Sequence, residues 1–404
     1  MDASSSNAVL HRRGRINDIQ WLRAVAVLGV VIHHAQDNLF SWHPLWLARC
    51  LDRFDLWSGV DIFFAISGFV IARSLLPQLG ACGRNLRVAV RRILAFWTAR
   101  AFRLLPSAWL WLMLILLASA MLNRTGAFGS FHTNAMAGLA GVFQVANIRF
   151  ADAFDRYNYG ASFAYWSLSL EEQFYLILPI LILGLRRWIV LLLIAVIVIQ
   201  ALLTRGLLLI CLRTDALAWG VLLAWLSMRP GFSRWLPTQM GQHRNVPRLL
   251  GIIAIACIGM VSAAQAVPMG NRISIVAMLA AVLVWIAACN EDYLSGNNGI
   301  FRRFMLWCGS RSYAIYLIHV PVFFLVRELW FRWTGAQASG GILQIVTLTA
   351  AAALLISLFA EINYRVLERP LRSIGKRLSQ RFGAATALAA ASSTEVGSQS
   401  PCPN

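Results

Sequence analysis

The sequence predicts an all-α, polytopic membrane bundle of about ten transmembrane helices with both termini in the cytoplasm. Three observations predict it. Of 404 residues, 59% are apolar and 13% charged, against about 45–50% and about 25% in soluble domains. Apolar runs of the length a bilayer demands, about 20 residues, recur along the whole chain. The net charge of +19 is carried almost wholly by Arg, with Lys376 the only Lys, and falls in short blocks between those runs, as in cytoplasmic loops. The lipid bilayer is therefore an expected partner. Nucleic acid is not, because its binders interleave basic and aromatic residues on a polar surface. The 7 cysteines are scattered, odd in number and without CxxC spacing, which indicates neither a disulfide framework nor a metal site.

Residues 1–17 are polar, carry Arg12, Arg13 and Arg15, and read as a cytoplasmic segment. The first span, 21–39, contains Arg23, His33 and His34; it is too long for a signal-peptide core and no small-residue cleavage pattern follows it. The second, 58–79, has Asp61 at its outer end and Ser67–Gly68 in its middle, small residues that let helices pack closely. A basic cytoplasmic loop follows, and the third span, 104–122, begins near Pro106. The stretch 135–148 is short and broken by Gly138, Gly141, Gln144 and Asn147. If it stays outside, 23 basic residues lie on inner segments and 8 on outer ones; if it crossed, the bias would reverse after residue 150. Residues 123–165 are therefore expected outside. The remaining spans read as 166–185, 188–204, 207–227, 249–267, 273–289, 304–330 and 342–360. Arg213 and Asp215 in the sixth read as a structural pair. The tail after about 382 is Ala/Ser/Gly-rich and expected to be disordered. The expected organisation is one transmembrane domain, 18–370, flanked by 1–17 and 371–404.

Ionisable groups at membrane depth cost about 2.5–3.5 kcal/mol on insertion scales and are functional candidates by default. Arg23 and His34 are close to three helical turns apart, so they share a face, about 16 Å apart along the axis. His33 lies off that stripe. One face then presents a cation near the inner surface and a titratable base deeper in, which suits an anionic cytosolic ligand whose reactive end reaches into the bilayer. Arg100 and Arg103 lie three residues apart in the densest basic segment, and guanidiniums recognise phosphate through forked donors. Glu171 and Glu172 open the fourth span beside Trp166. A carboxylate there suits orienting an imidazole or binding a substrate hydroxyl; an interfacial helix start is the plainer alternative. His319 in the ninth span reads equally as a bundle contact or a catalytic group.

These motifs together resemble the acyltransferase-3 family of multi-spanning membrane O-acyltransferases, over about Asp18 to Pro370. Arg23, ten intervening residues and His34 match its first block. GVDIFFAISGFVI (59–71), Arg100-x-x-Arg103-x-x-Pro106, WSLSLEEQFY (166–175), Arg213-Thr-Asp215 with Gly220, Ser312-Tyr313 through His319, and Leu367-Glu368-Arg369-Pro370 follow in order. His33 is an extra His beside the motif position; helix register favours His34.

The resemblance implies a bacterial inner-membrane enzyme of the stand-alone type, without a periplasmic esterase-like domain. It implies acetyl-CoA, or another acyl-CoA, as cytoplasmic donor rather than as a resident cofactor. The implied acceptor is a glycan or glycolipid hydroxyl, reached from the other face. Arg100, Arg103 and Arg23 would hold CoA phosphates. His34 would serve as general base, with an unperturbed pKa near about 6.5, or carry the acyl group transiently; Glu171 would orient the imidazole or the sugar. The rival within the fold is another donor such as succinyl-CoA. The rival from another class is a glycan or lipid transporter, which would usually show inverted repeats; no clear internal repeat is present.

Overall fold

The structure, a computed structural model, describes residues 16–40, 49–50, 52–229, 245–289, 292–296, 299–335 and 341–382. The expected N-terminal cytoplasmic segment up to residue 15 and the tail after 382 lie outside the described residues. Among the described residues there is no strand. The helices are α1 (Asn17–Asn38), α2 (Gly59–Gly80), α3 (Leu86–Met121), α4 (Phe131–Val142), α5 (Ala146–Ala153), α6 (Tyr165–Leu185), α7 (Ile189–Leu202), α8 (Leu207–Cys211), α9 (Asp215–Ser227), α10 (Asn245–Ala263), α11 (Met269–Ala288), α12 (Ile300–Ser310), α13 (Ser312–Thr334) and α14 (Ile342–Asn363). The helix α14 runs on through a π-turn at Tyr364–Glu368.

Among the described residues, eight helical segments are long and apolar enough to cross a membrane. Three of them are composite: α6 and α7 form one stretch, α8 with α9 another, and α14 with the helical residues beyond it to Phe382 a third. The first expected span, α1, is not among the eight, because Asp18, Arg23, His33, His34 and Asp37 dilute its hydropathy. The helices α4 and α5 have 12 and 8 residues, hence rise about 18 and about 12 Å, too short for a hydrocarbon core of about 30 Å.

Three expectations about local structure need correction. The basic segment before Pro106 is not a loop: α3 is a continuous 36-residue helix. The expected ninth span is two helices broken at Arg311, whose guanidinium is drawn to Glu361 (2.6 Å) and over the Tyr364 ring. Arg213 and Asp215 do not pair with each other. Arg213 takes Asp61 through Nε and Nη2, at 2.9 and 3.0 Å, and Asp215 takes Arg205 at 2.8 Å. Both pairs are buried. Charges two residues apart point to different sides of their helix start, so each finds a partner on another element.

The most extensive packing is between α2 and α9. Its cause is a pair of glycines. A Cβ on Gly68 would sit 2.2 Å from the Leu217 carbonyl oxygen, and one on Gly220 would sit 2.2 Å from that of Ala65. The expected close approach at Ser67–Gly68 is thus made, with backbone against backbone. α1 lies against α2, α12 and α13, which puts its ionisable residues at the centre of the bundle. Outward faces stay apolar, as at Leu191, Ile199 and Leu354, the arrangement that lipid requires.

Candidate active site

Two groups of polar side chains lie along α1, one near each end. The first surrounds a narrow cavity of about 70 Å³. Arg23 of α1 and Arg100 and Arg103 of α3 all line it. Three-residue spacing puts the α3 pair on one face. Arg100 lies over the rings of Phe96 and Tyr175, at 5.6 and 5.2 Å from their centroids, so aromatic faces hold its plane in position. No ion pair among the described residues is made by any of these three. The carboxylate in this cavity is Glu171 of α6, which accepts hydrogen bonds from Ser67 and Tyr175. Three half-buried cations around one carboxylate leave an excess of positive charge that favours an anionic ligand.

The second group lies nearer the C-terminal end of α1. His34 Nδ1 is 2.8 Å from His319 Nε2 of α13, and the two rings are stacked 8° from parallel. His319 Nδ1 is 2.7 Å from the Tyr316 carbonyl. A carbonyl can only accept, so His319 Nδ1 carries a proton. With both imidazoles neutral, His319 Nε2 is then the acceptor and His34 Nδ1–H the donor. That order leaves the His34 Nε2 lone pair available to an incoming group. Phe163 meets the His34 ring edge-on at 5.1 Å, and His34 remains partly exposed.

Tyr316 joins the two groups. Its side chain lines the arginine cavity, its ring lies 5.5 Å from that of His319, and its carbonyl fixes the His319 tautomer. Its hydroxyl donates to the Ala164 carbonyl (3.1 Å) and meets Ser167 Oγ at 2.6 Å.

The structure therefore brings Arg23, Arg100, Arg103 and Glu171 together. Glu171 does not reach His34 to orient it: its hydrogen bonds go to Ser67 and Tyr175, and the orienting partner of His34 is His319. The sequence separation of 285 between the two histidines carries no signal for that contact; a His inside an apolar span was the one available hint. His33 turns away to Asp55, 2.7 Å distant. Burial opposes ionisation of the Asp55 carboxyl, but His33 and the backbone N–H groups of Leu56 and Trp57 outweigh it and hold the group below the ordinary carboxylate range. Asp55 was not visible as a partner from the sequence. It lies in the loop before α2, where an acidic residue ordinarily reads as solvated.

The acyltransferase-3 family, described as an acyltransferase domain, matches residues 16–361. Among curated proteins, the chain is 28% identical to the peptidoglycan O-acetyltransferase OatA of Listeria monocytogenes over 396 residues, covering 90% of this chain and 57% of that one. It is 27% identical to the putative peptidoglycan O-acetyltransferase YrhL of Bacillus subtilis, covering 91% and 56%. It is 24% identical to the O-acetyltransferase OatA of Staphylococcus aureus, covering 88% and 57%. The chain thus spans a little over half the length of the curated relatives it matches. No solved structure matches it. With the family match running over most of the chain, from the start of α1 into the end of α14, the chain belongs to the acyltransferase-3 family.

Proposed function

We propose that this protein is a membrane O-acetyltransferase that moves an acetyl group from acetyl-CoA to a hydroxyl of a cell-surface glycan such as peptidoglycan, outside the inner membrane of a bacterium. The observation that carries the reading is Tyr316, which lines the three-arginine cavity and also holds the His34–His319 pair. A donor whose phosphates lie against Arg23, Arg100 and Arg103 would have its thioester directed toward an imidazole with an unshared lone pair. The glycan acceptor is drawn from the names of the curated relatives.

In the proposed reaction, His34 Nε2 takes the proton of the acceptor hydroxyl. The oxygen forms a bond to the thioester carbonyl carbon, the carbon–sulfur bond breaks, and the proton passes to the departing thiolate as free CoA. Proton transfer by a positioned base contributes about 10²–10⁴-fold. His319 would hold the His34 tautomer as the neighbouring group does in other base-plus-orienter pairs. The same lone pair can instead accept the acetyl group before the sugar does. The test is purified protein in lipid nanodiscs with radiolabelled acetyl-CoA and peptide-free glycan strands. Label in the glycan supports the reading, label retained on protein without acceptor identifies the covalent route, and neither, in correctly inserted protein, overturns it.

A further inference from the structure

A second cavity lies outside the machinery described so far, on α5 and the loop that follows it. It is an open cavity of about 290 Å³, lined by Phe150, Phe154, Tyr157 and Tyr159 together with Asp155 and Asn158. Phe154 and Tyr157 are 44% and 47% exposed, so both rings can be reached from outside the fold. The rings are held in position. Phe150 meets Phe154 and Tyr159 edge-on, each at 5.7 Å. The Arg149 guanidinium lies over Tyr159 at 4.4 Å and Tyr157 at 5.5 Å, and it donates to the Tyr159 carbonyl at 3.0 Å. Tyr159 is buried, with its phenol against the Arg149 side chain. Burial, opposed by Arg149, pushes that hydroxyl up to about 12. Phe163 also lines the cavity and is the ring that meets His34 edge-on.

Aromatic faces, a planar amide and a carboxylate are a surface that suits a pyranose ring. The C–H face of a sugar is apolar and seats on the electron-rich face of an aromatic ring; its hydroxyls then reach polar groups at the rim. Lipid chains have no use for Asp155 or Asn158. We infer that this cavity is the acceptor subsite, binding one or two sugar rings of the glycan and separated from His34 by the single ring of Phe163. This rests on the proposed transferase reading and extends it to acceptor recognition.

The test uses the full chain in nanodiscs and two readouts. Saturation-transfer NMR is run with chitotetraose, cellotetraose and maltotetraose as probes, and acceptor and donor KM are measured with glycan strands and acetyl-CoA. The expected result is saturation of sugar C–H protons in the wild type, lost in Phe154→Ala and Tyr157→Ala. Acceptor KM should rise by several-fold to about tenfold, the scale of one aromatic contact, with no matching rise in donor KM. Phe154→Tyr keeps a ring and should restore both readouts, which separates ring loss from misfolding. No saturation of any of the three probes overturns the subsite, as does unchanged acceptor KM in both alanine variants. If the wild type transfers no acetyl group yet binds a probe through these rings, the transferase reading falls and the sugar site stands.

Discussion

The two ends of α1 solve different problems with different side chains. Around Arg23 the protein gathers three guanidiniums and one carboxylate, a site whose strength is excess charge in a cavity. Around His34 it stacks two imidazoles and anchors them to a backbone carbonyl, a site whose strength is a fixed proton order. A guanidinium tolerates displacement because Coulomb attraction falls slowly with distance. A proton transfer does not, because it requires hydrogen-bond reach of about 2.6–3.2 Å. The contrast teaches which substitutions should weaken binding and which should stop chemistry.

The sharpest way to break this comparison is at His34. We expect His34→Ala to abolish acetyl transfer while leaving expression and membrane insertion intact, and His33→Ala to keep substantial activity. An active His34→Ala with a dead His33→Ala, measured by radiolabel transfer, would assign the base to the other imidazole. An equally categorical outcome concerns orientation. With residues 123–165 outside and both termini inside, a Cys introduced near 155 is labelled by an impermeant reagent and one near 190 is not. The reverse pattern would require an extra crossing before residue 155 and sink this topology.

His319 comes next. His319→Leu removes the acceptor that fixes His34, and we expect a loss of about 10²-fold, within the range for base catalysis. His319→Gln keeps an acceptor oxygen and should lose less. Equal losses would mean that His319 only fills space. At the other end, Arg100→Ala or Arg103→Ala should weaken acetyl-CoA binding by roughly ten- to a hundredfold, since hydrogen bonds to charged groups contribute about 1.5–3 kcal/mol. Lys should restore part of this, because it lacks the forked donors. Wild-type donor affinity in Arg103→Ala would leave these residues with topology alone.

The smallest effect belongs to His33 and Asp55. Asp55 is held below its ordinary carboxylate value. Its contribution to stability is therefore fully present above the unfolded carboxylate pKa, about 3.9, and is lost as pH falls through the lower folded value. Thermal unfolding in nanodiscs should show an acid-side loss of stability that Asp55→Asn reduces, with the variant less stable at neutral pH and the two proteins converging in acid.

The amino-acid sequence by itself determined the class of molecule and the order of its parts. Hydropathy and charge are local quantities, so they read out a helical membrane protein, the short crossing-incompetent stretch at α4 and α5, and the glycine contact at Gly68. Helical periodicity is local too, and it placed Arg100 beside Arg103 and put Arg23 on the face that the cavity uses. Only the tertiary structure decided which distant groups meet. His34 finds His319 rather than Glu171, Arg213 finds Asp61 rather than Asp215, and Glu171 joins the arginines through Ser67 and Tyr175. Those pairings depend on how helices rotate and slide against one another. Close approach of α2 and α9 at two glycines, together with the packing of α1 between α2 and α13, sets that rotation. No spacing along a single chain encodes it, because a buried polar group is satisfied by whichever partner the packing brings within reach.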